Sequence, residues 1–299
     1  YTRCSKWSQA YRVMGQPFPG NWTFKYHPWL RKMHDCDSQV IVGQKSAQVG
    51  FTEFALNKTF YNIDIKGNSV LYVLPTESDA SDFSASRFDP ALELSPHLNK
   101  LFSDVKNVAL KRAGSASLFV RGSRSKNKLK SIPVPIIILD ELDEFEQKNI
   151  PLVKERSSGQ VESQLIQIST PTIDGYGINK EFLLSTQNYV YFRCPSCSRW
   201  TDLIFPDCFV CTAEKLDDKN IDQSYIQCKE CKNILPHETK PEWLADGNWI
   251  PSFTNAEYEG FQISQLYSYT VSPKRFAESF LRSMMDVTEE QEFFNSKLG

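Results

Sequence analysis

Val40-Ile41-Val42-Gly43-Gln44-Lys45-Ser46-Ala47-Gln48-Val49-Gly50-Phe51-Thr52 runs from an apolar segment through a small-residue turn into a helical pattern. Strand, loop and helix in that order aim backbone N–H groups and a helix N-terminus at phosphates. We set the stretch against G-x-x-x-x-G-K-[ST] with Gly50 and Thr52 aligned. Lys45 then occupies the first glycine and Phe51 the usual lysine. The lysine has moved to the front of the loop.

A second stretch, Ile136-Ile137-Ile138-Leu139-Asp140-Glu141, supplies the complementary chemistry. An all-apolar strand belongs in the buried centre of a parallel sheet, and ligands of such sheets lie beyond the carboxyl ends of the strands. Asp140 and Glu141 would stand there. In a P-loop enzyme the first acid holds Mg²⁺ and the second orients or activates the attacking water. Together the two stretches predict a nucleotide hydrolase. The implied fold is α/β, a P-loop NTPase core of the RecA-like (ASCE) type with a largely parallel sheet.

The 299 residues are 40% hydrophobic and 23% charged, an ordinary globular composition whose length suits about two domains. A net charge of -2 excludes a generally basic nucleic-acid binder, so DNA contacts would come from local patches. No apolar run approaches the ~20 residues that span a bilayer, so no membrane association is expected. The chain begins at Tyr1, which suggests a fragment of something longer.

Before the loop, residues 1–30 are rich in aromatics, and Tyr26 and Trp29 are the candidates to stack on adenine. After it, Thr52 to Ile65 reads as a helix, Ser69 to Leu74 as a strand, and Ser78 to Leu94 as a polar helix starting at Ser78-Asp79. Leu118-Phe119-Val120 reads as a strand. Arg121, Arg124, Lys126, Lys128 and Lys130 follow it, forming either a DNA- or phosphate-facing loop or a solvated hairpin tip. Leu165 to Ile168 is a further strand, ending at Ser169-Thr170-Pro171 where hydroxyls could sense a γ-phosphate. Asp174-Gly175-Tyr176-Gly177 reads as a flexible connection.

From about residue 187 the composition changes. Cys194-Pro195-Ser196-Cys197 and Cys228-Lys229-Glu230-Cys231 are two knuckles with 30 residues between their inner cysteines. Two such turns offer four thiolates to one tetrahedral zinc. Cys208 and Cys211 form a third pair whose spacing to Cys228 is nearer the common ribbon template. Phe209 and Val210 between them do not favour a knuckle, so Cys194, Cys197, Cys228 and Cys231 are the expected ligands. Residues 243–269 read as aromatic and strand-like, and Pro273 to about Met285 as a closing amphipathic helix. The expected organisation is a core over 1–186, a zinc-ribbon-like module over 187–250, and a segment over 251–299 that completes the core.

These motifs together resemble the ATPase region of phage large terminase subunits of the lambda-like (GpA) family. The resemblance rests on Trp7-Ser8-Gln9 with Tyr11-Arg12, the displaced-lysine loop, and Leu74-Pro75-Thr76. It continues through Leu139-Asp140-Glu141-Leu142-Asp143, Ser169-Thr170-Pro171, the Cys-Pro-x-Cys knuckle and the Tyr267 to Pro273 segment. It implies an ATP-driven motor, with Mg²⁺, that moves double-stranded DNA into a procapsid in the host cytoplasm. The implied partners are a small DNA-recognition subunit, the portal, and further copies in a ring.

By the same resemblance, Lys45 contacts the β/γ-phosphates within the loop Ser46, Ala47, Gln48, Val49, Gly50 and Phe51. Thr52 and Asp140 serve Mg²⁺, Glu141 is the catalytic carboxylate, and Ser169-Thr170 is the coupling segment. Arg87 and Arg124 are the candidate arginine fingers, acting on a neighbour's ATP. The adenine-side motif, His27-Pro28-Trp29-Leu30, lacks a glutamine often found after the aromatic. The family's nuclease region is expected to begin about where this chain stops. Two other readings remain: a helicase-like translocase, and a zinc-ribbon nucleic-acid-binding protein with a vestigial nucleotide site.

Overall fold

The computed structural model describes residues 3–103, 105–124, 129, 132–155 and 162–299. Its elements begin with α1 (Cys4–Tyr11), β1 (Val13–Met14), β2 (Gly20–Asn21), α2 (Leu30–His34), β3 (Val40–Lys45) and α3 (Phe51–Asp64). There follow β4 (Val70–Leu74), α4 (Glu77–Phe83), α5 (Asp89–Leu94), β5 (Val105–Lys106), β6 (Leu110–Ala113), β7 (Ala116–Gly122), β8 (Ile136–Asp140) and β9 (Gln164–Ser169). The chain divides into two compact units. One comprises Tyr1–Thr23, Lys32–Gly43 and Phe51–Ser169, the other Phe24–Arg31, Gln44–Gly50 and Thr170–Gly299.

In the first unit the strand order is β3-β9-β8-β4-β7-β6-β5. Strands β4, β7, β8 and β9 pair in parallel, with Tyr72 opposite Ile138 and Asp140 opposite Ile168. The β5-β6-β7 edge is antiparallel. Every residue of β4, β8 and β9 is buried, as expected of strands covered on both faces. Gly43 leaves room for this packing, because a Cβ there would lie 2.8 Å from side-chain atoms of both Ile168 and Phe51.

Helix α3 is buried over most of its circumference, so its polar groups need partners. Residues of the Trp7 to Arg12 motif supply several. Arg12 donates from Nε to Asn57 Oδ1 and from Nη2 to Glu53 Oε2, both at 2.7 Å. Trp7 Nε1 donates to Asp64 Oδ2 at 2.7 Å, and His97 Nε2 lies 2.7 Å from the same oxygen. The motif fastens the helix at both ends.

Helix α4 starts at Glu77, and its N-cap lies two residues ahead of the expected one. Thr76 and not Ser78 is its N-cap: Thr76 Oγ1 accepts from the Asp79 amide, and Asp79 Oδ2 accepts from the Thr76 amide. This capping box gives Leu74-Pro75-Thr76 its local role. Between α4 and α5 lies a π-helical turn, Ser84–Phe88, which carries Arg87.

The second unit holds β10 (Asn188–Arg193), β11 (Trp200–Thr201), β12 (Phe209–Val210), β13 (Tyr225–Gln227), β14 (Ile234–Leu235), β15 (Asn248–Pro251) and β16 (Glu259–Ile263). Strand β10 pairs antiparallel with β11 and β15 and parallel with β16. Strands β12-β13-β14 form a separate antiparallel sheet. Residues 174–176 form a connecting turn, as expected, and Gly177 already belongs to the helix that follows, Gly177–Leu183. The 243–269 stretch includes the end of a helix, Lys240–Trp243, as well as β15 and β16.

The closing helix, Pro273–Ser283, is followed by a second, Val287–Phe293, and a π-helical turn, Phe294–Leu298, which the sequence pattern did not suggest. Asp286 caps the second helix, accepting from the amides of Thr288 and Glu289. Among the described residues, no helix is long and apolar enough to cross a membrane.

Candidate nucleotide site and metal centre

The loop Gln44–Gly50 belongs to the second unit. Lys45 and Ser46 are buried, and Gln48 and Gly50 have φ of 63° and 85°. Left-handed residues within a tight loop turn successive N–H groups toward one concavity. At Gly50 only glycine fits, since a Cβ would also come within 2.8 Å of Leu30 Cδ1 and 3.3 Å of the His27 ring. Burial pushes the His27 pKa down to about 4, so the ring beside Gly50 is neutral at pH 7.

Three successive loop carbonyls are held by side-chain donors. Gln265 Nε2 reaches Ala47 O at 3.2 Å, Ser268 Oγ reaches Gln48 O at 3.1 Å, and Trp29 Nε1 reaches Val49 O at 2.9 Å. The amides of Ser46 and Ala47 donate to Ile263 O and Ser296 O.

Trp29 therefore differs from its expected role. Its ring is 1% exposed and bonded to the loop, and Trp249 Nε1 donates to its carbonyl at 2.7 Å. It braces the loop and presents no face for a base. Tyr26 is half-buried and stacked on Tyr269 at 5.2 Å, and Tyr269 is stacked on His237 at 5.4 Å.

In the first unit, Thr52 is the second residue of α3. Asp140 ends β8, is 1% exposed, and accepts a 2.6 Å hydrogen bond from the Tyr72 hydroxyl on β4. Burial, and then the neighbouring Asp140, raise the Tyr72 pKa well above its ordinary value, so it remains the donor. Glu141 has φ 61° and ψ 48°, a left-handed conformation uncommon outside glycine. Its amide donates to Ile168 O at 3.0 Å, which stabilises the turn that swings this carboxylate out of line with Asp140. Ser169 is buried and its Oγ accepts from the Asp143 amide at 3.1 Å, tying the end of β9 to the turn after Glu141. Thr170 follows as the first residue of the next segment of the second unit.

A cavity of 520 Å³ opens beyond the carboxyl ends of β4 and β8, lined by Thr76, Asp79, Asp82, Arg124, Glu141 and Glu144 among others. Arg124 thus shares a cavity with Glu141. Arg87 lies 4.0 Å from Glu53, the residue after Thr52 in the same chain. Arg121 is folded onto its own hairpin, bonded to Ala109 O and Val120 O. Lys126, Lys128 and Lys130 lie outside the described residues.

The Sγ atoms of Cys194, Cys197, Cys228 and Cys231 all lie within 4.8 Å of one another, and those of Cys194 and Cys231 are 3.8 Å apart. A tetrahedron of Zn–S bonds of ~2.3 Å has edges of about 3.8 Å, so the four thiols fit the ion. Both knuckles use one turn. In each, the residue after the second cysteine is left-handed, Ser198 at φ 59° and Lys232 at φ 60°, and its amide bonds the first cysteine's carbonyl. Cys208 and Cys211 stand apart from this group, each pointing its thiol at a nearby carbonyl.

Sequence reasoning missed the loop's supports: Gln265, Ser268, Ser296 and Trp249. Each is an ordinary polar or aromatic residue far along the chain, and no local spacing marks it.

Residues 16–249 match the family model described as phage terminase large subunit gpA, ATPase domain. The terminase large subunit of Enterobacteria phage P21 is 29% identical over 223 residues, 69% of this chain and 34% of that protein. The Escherichia phage lambda terminase large subunit is 23% identical over 288 residues, 85% and 45% respectively. The chain therefore spans under half the length of either curated relative.

Two solved structures share the fold. The ATPase domain of the Thermus phage P74-26 large terminase aligns with a TM-score of 0.53 at 14% identity, over 90% of this chain and 92% of that one. The HK97 bacteriophage large terminase aligns at 0.57 and 10%, over 99% and 54%. Because the family model covers most of the chain, this protein belongs to the phage terminase large-subunit gpA family, as its ATPase domain.

Proposed function

We propose that this chain hydrolyses ATP to drive double-stranded DNA into a procapsid, as part of a packaging motor acting inside the host cell. The observation that carries the reading is Glu141. It is an acid held in a left-handed turn one residue beyond a buried aspartate, at the carboxyl end of a central parallel strand. Lys45 neutralises the β/γ-phosphates from the front of the loop, while the amides of Gln48 to Phe51 cradle them. Thr52 and Asp140 hold Mg²⁺, which when bound offsets phosphate charge. Glu141 orients and deprotonates the attacking water. Ser169 and Thr170 couple nucleotide state to the chain beyond β9.

Tyr26 remains the base-side aromatic, through its exposed portion. Arg87, beside the first turn of α3 in its own chain, and Arg124, in the cavity with Glu141, are the candidate fingers. Zinc at the four cysteines is structural, since a closed four-thiolate set leaves no position for substrate. The basic stretch from Arg124 to Lys130 contacts DNA phosphates without reading sequence. A small subunit, a portal and neighbouring copies complete the motor. Lys45→Ala tests the loop: ATP affinity and phosphate release should both fall to background. Parent-level binding would mean that nucleotide sits elsewhere.

A further inference from the structure

Lys240 is 1% exposed in the helix Lys240–Trp243 of the second unit, and its ammonium's partners are two carbonyl oxygens, Leu266 O at 2.8 Å and Ser268 O at 3.0 Å. Burying an amine costs free energy, and an apolar side chain of similar length would fill the same space without that cost. Burial alone pushes its pKa down to about 7. Such a group is expected where geometry matters more than stability.

The two carbonyls belong to the turn Gln265–Tyr267 and its following residue. This turn carries two of the side chains that hold the loop, Gln265 on Ala47 O and Ser268 on Gln48 O. The C=O and N–H of a trans peptide point in opposite directions. A carbonyl pinned at Ala47 therefore sends the Gln48 amide away from the turn, and one pinned at Gln48 does the same for Val49. These are two of the amides assigned to the phosphates.

We infer that Lys240 is a positioning residue for phosphate binding: it fixes the 265–268 turn, which in turn orients the loop amides. The inference rests on the assignment of Gln44–Thr52 as the phosphate loop. Lys240 touches no nucleotide. Its effect passes through Gln265 and Ser268, and this separates it from a residue that merely stabilises the fold.

The test is a thermodynamic cycle on ATP affinity, measured by calorimetry on the 299-residue chain. Lys240→Met should weaken ATP binding roughly tenfold, and so should the Gln265→Leu/Ser268→Ala pair. Combining all three changes should cost little more than either alone, because residues acting in series are not additive. Parent-like affinity in Lys240→Met, or full additivity in the combination, would overturn the inference. If Lys240→Met does not fold, the Gln265→Leu/Ser268→Ala pair decides, and unchanged ATP affinity there overturns it. Lys45→Ala separates the two levels. Retained binding in that variant removes the loop assignment itself, whereas lost binding there with normal binding in Lys240→Met removes only the role of Lys240.

Discussion

At the cysteine cage, each half of the site is specified within six residues. Cys-x-x-Cys, a left-handed residue and a closing amide–carbonyl bond recur at 194–199 and 228–233, and bringing two such turns together completes the geometry. At Asp140 and Glu141 no local unit suffices. Asp140 owes its position to burial in β8 and to Tyr72 from β4, while Glu141 depends on Ile168 and its turn on Ser169, both from β9. The first site is modular, whereas the second is a property of the sheet. Damage to the cage should therefore stay local, and damage around the acids should be felt as global stability.

The largest expected effect is metal removal. Structural zinc sites contribute about 10–16 kcal/mol of apparent binding free energy to folding. Purified protein should carry one zinc per chain, and Cys228→Ser should bring that near zero. Hydrogen exchange should then accelerate across 188–235 while β4, β8 and β9 stay protected. Uniform loss of protection would break the distinction between modular and sheet-borne sites.

Tyr72→Phe probes the other side of the comparison. It removes the Tyr72 hydroxyl's hydrogen bond to a buried carboxylate, a bond worth about 1.5–3 kcal/mol to a charged partner. Urea unfolding should show a loss of this order in the cooperative transition, with zinc content unchanged. A parent-like transition would show that the sheet does not hold Asp140 through this bond.

The smallest effect concerns a stretch that neither plan specifies. Replacing Arg124, Lys126 and Lys128 with alanine should weaken DNA binding to a similar extent on unrelated sequences. It should also reduce the salt dependence by a slope of up to about three. An unchanged slope would mean that these charges face only solvent.

The contrast also explains what the sequence could say. The knuckle spacing pointed to the four cysteines that the structure brings together, because a metal cage is encoded by local turns. The apolar runs at 136–139 and 165–168 likewise announced buried parallel strands. Trp29 was misread because an aromatic upstream of a loop has the same pattern whether it faces a base or bonds the loop's own carbonyl. The α4 start shifted because Thr76 and Ser78 are both good caps, and only the reciprocal bond from Asp79 selects Thr76. Lys240 and Gln265 gave no signal at all, and Ser268 lay within the Tyr267 to Pro273 segment without a role to mark it. Their partners lie as far as 220 residues away in sequence.

In the proposed mechanism Glu141 performs the chemistry while Lys45 and the loop bind the nucleotide. Measured together, ATP affinity and steady-state phosphate release in Glu141→Gln test it most directly. The substitution keeps the shape and removes the charge, so Mg²⁺-ATP binding should stay near the parent value while turnover falls by ~10²–10⁴. Hydrolysis at the parent rate with binding intact would show that the carboxylate at the end of β8 is not the catalytic one.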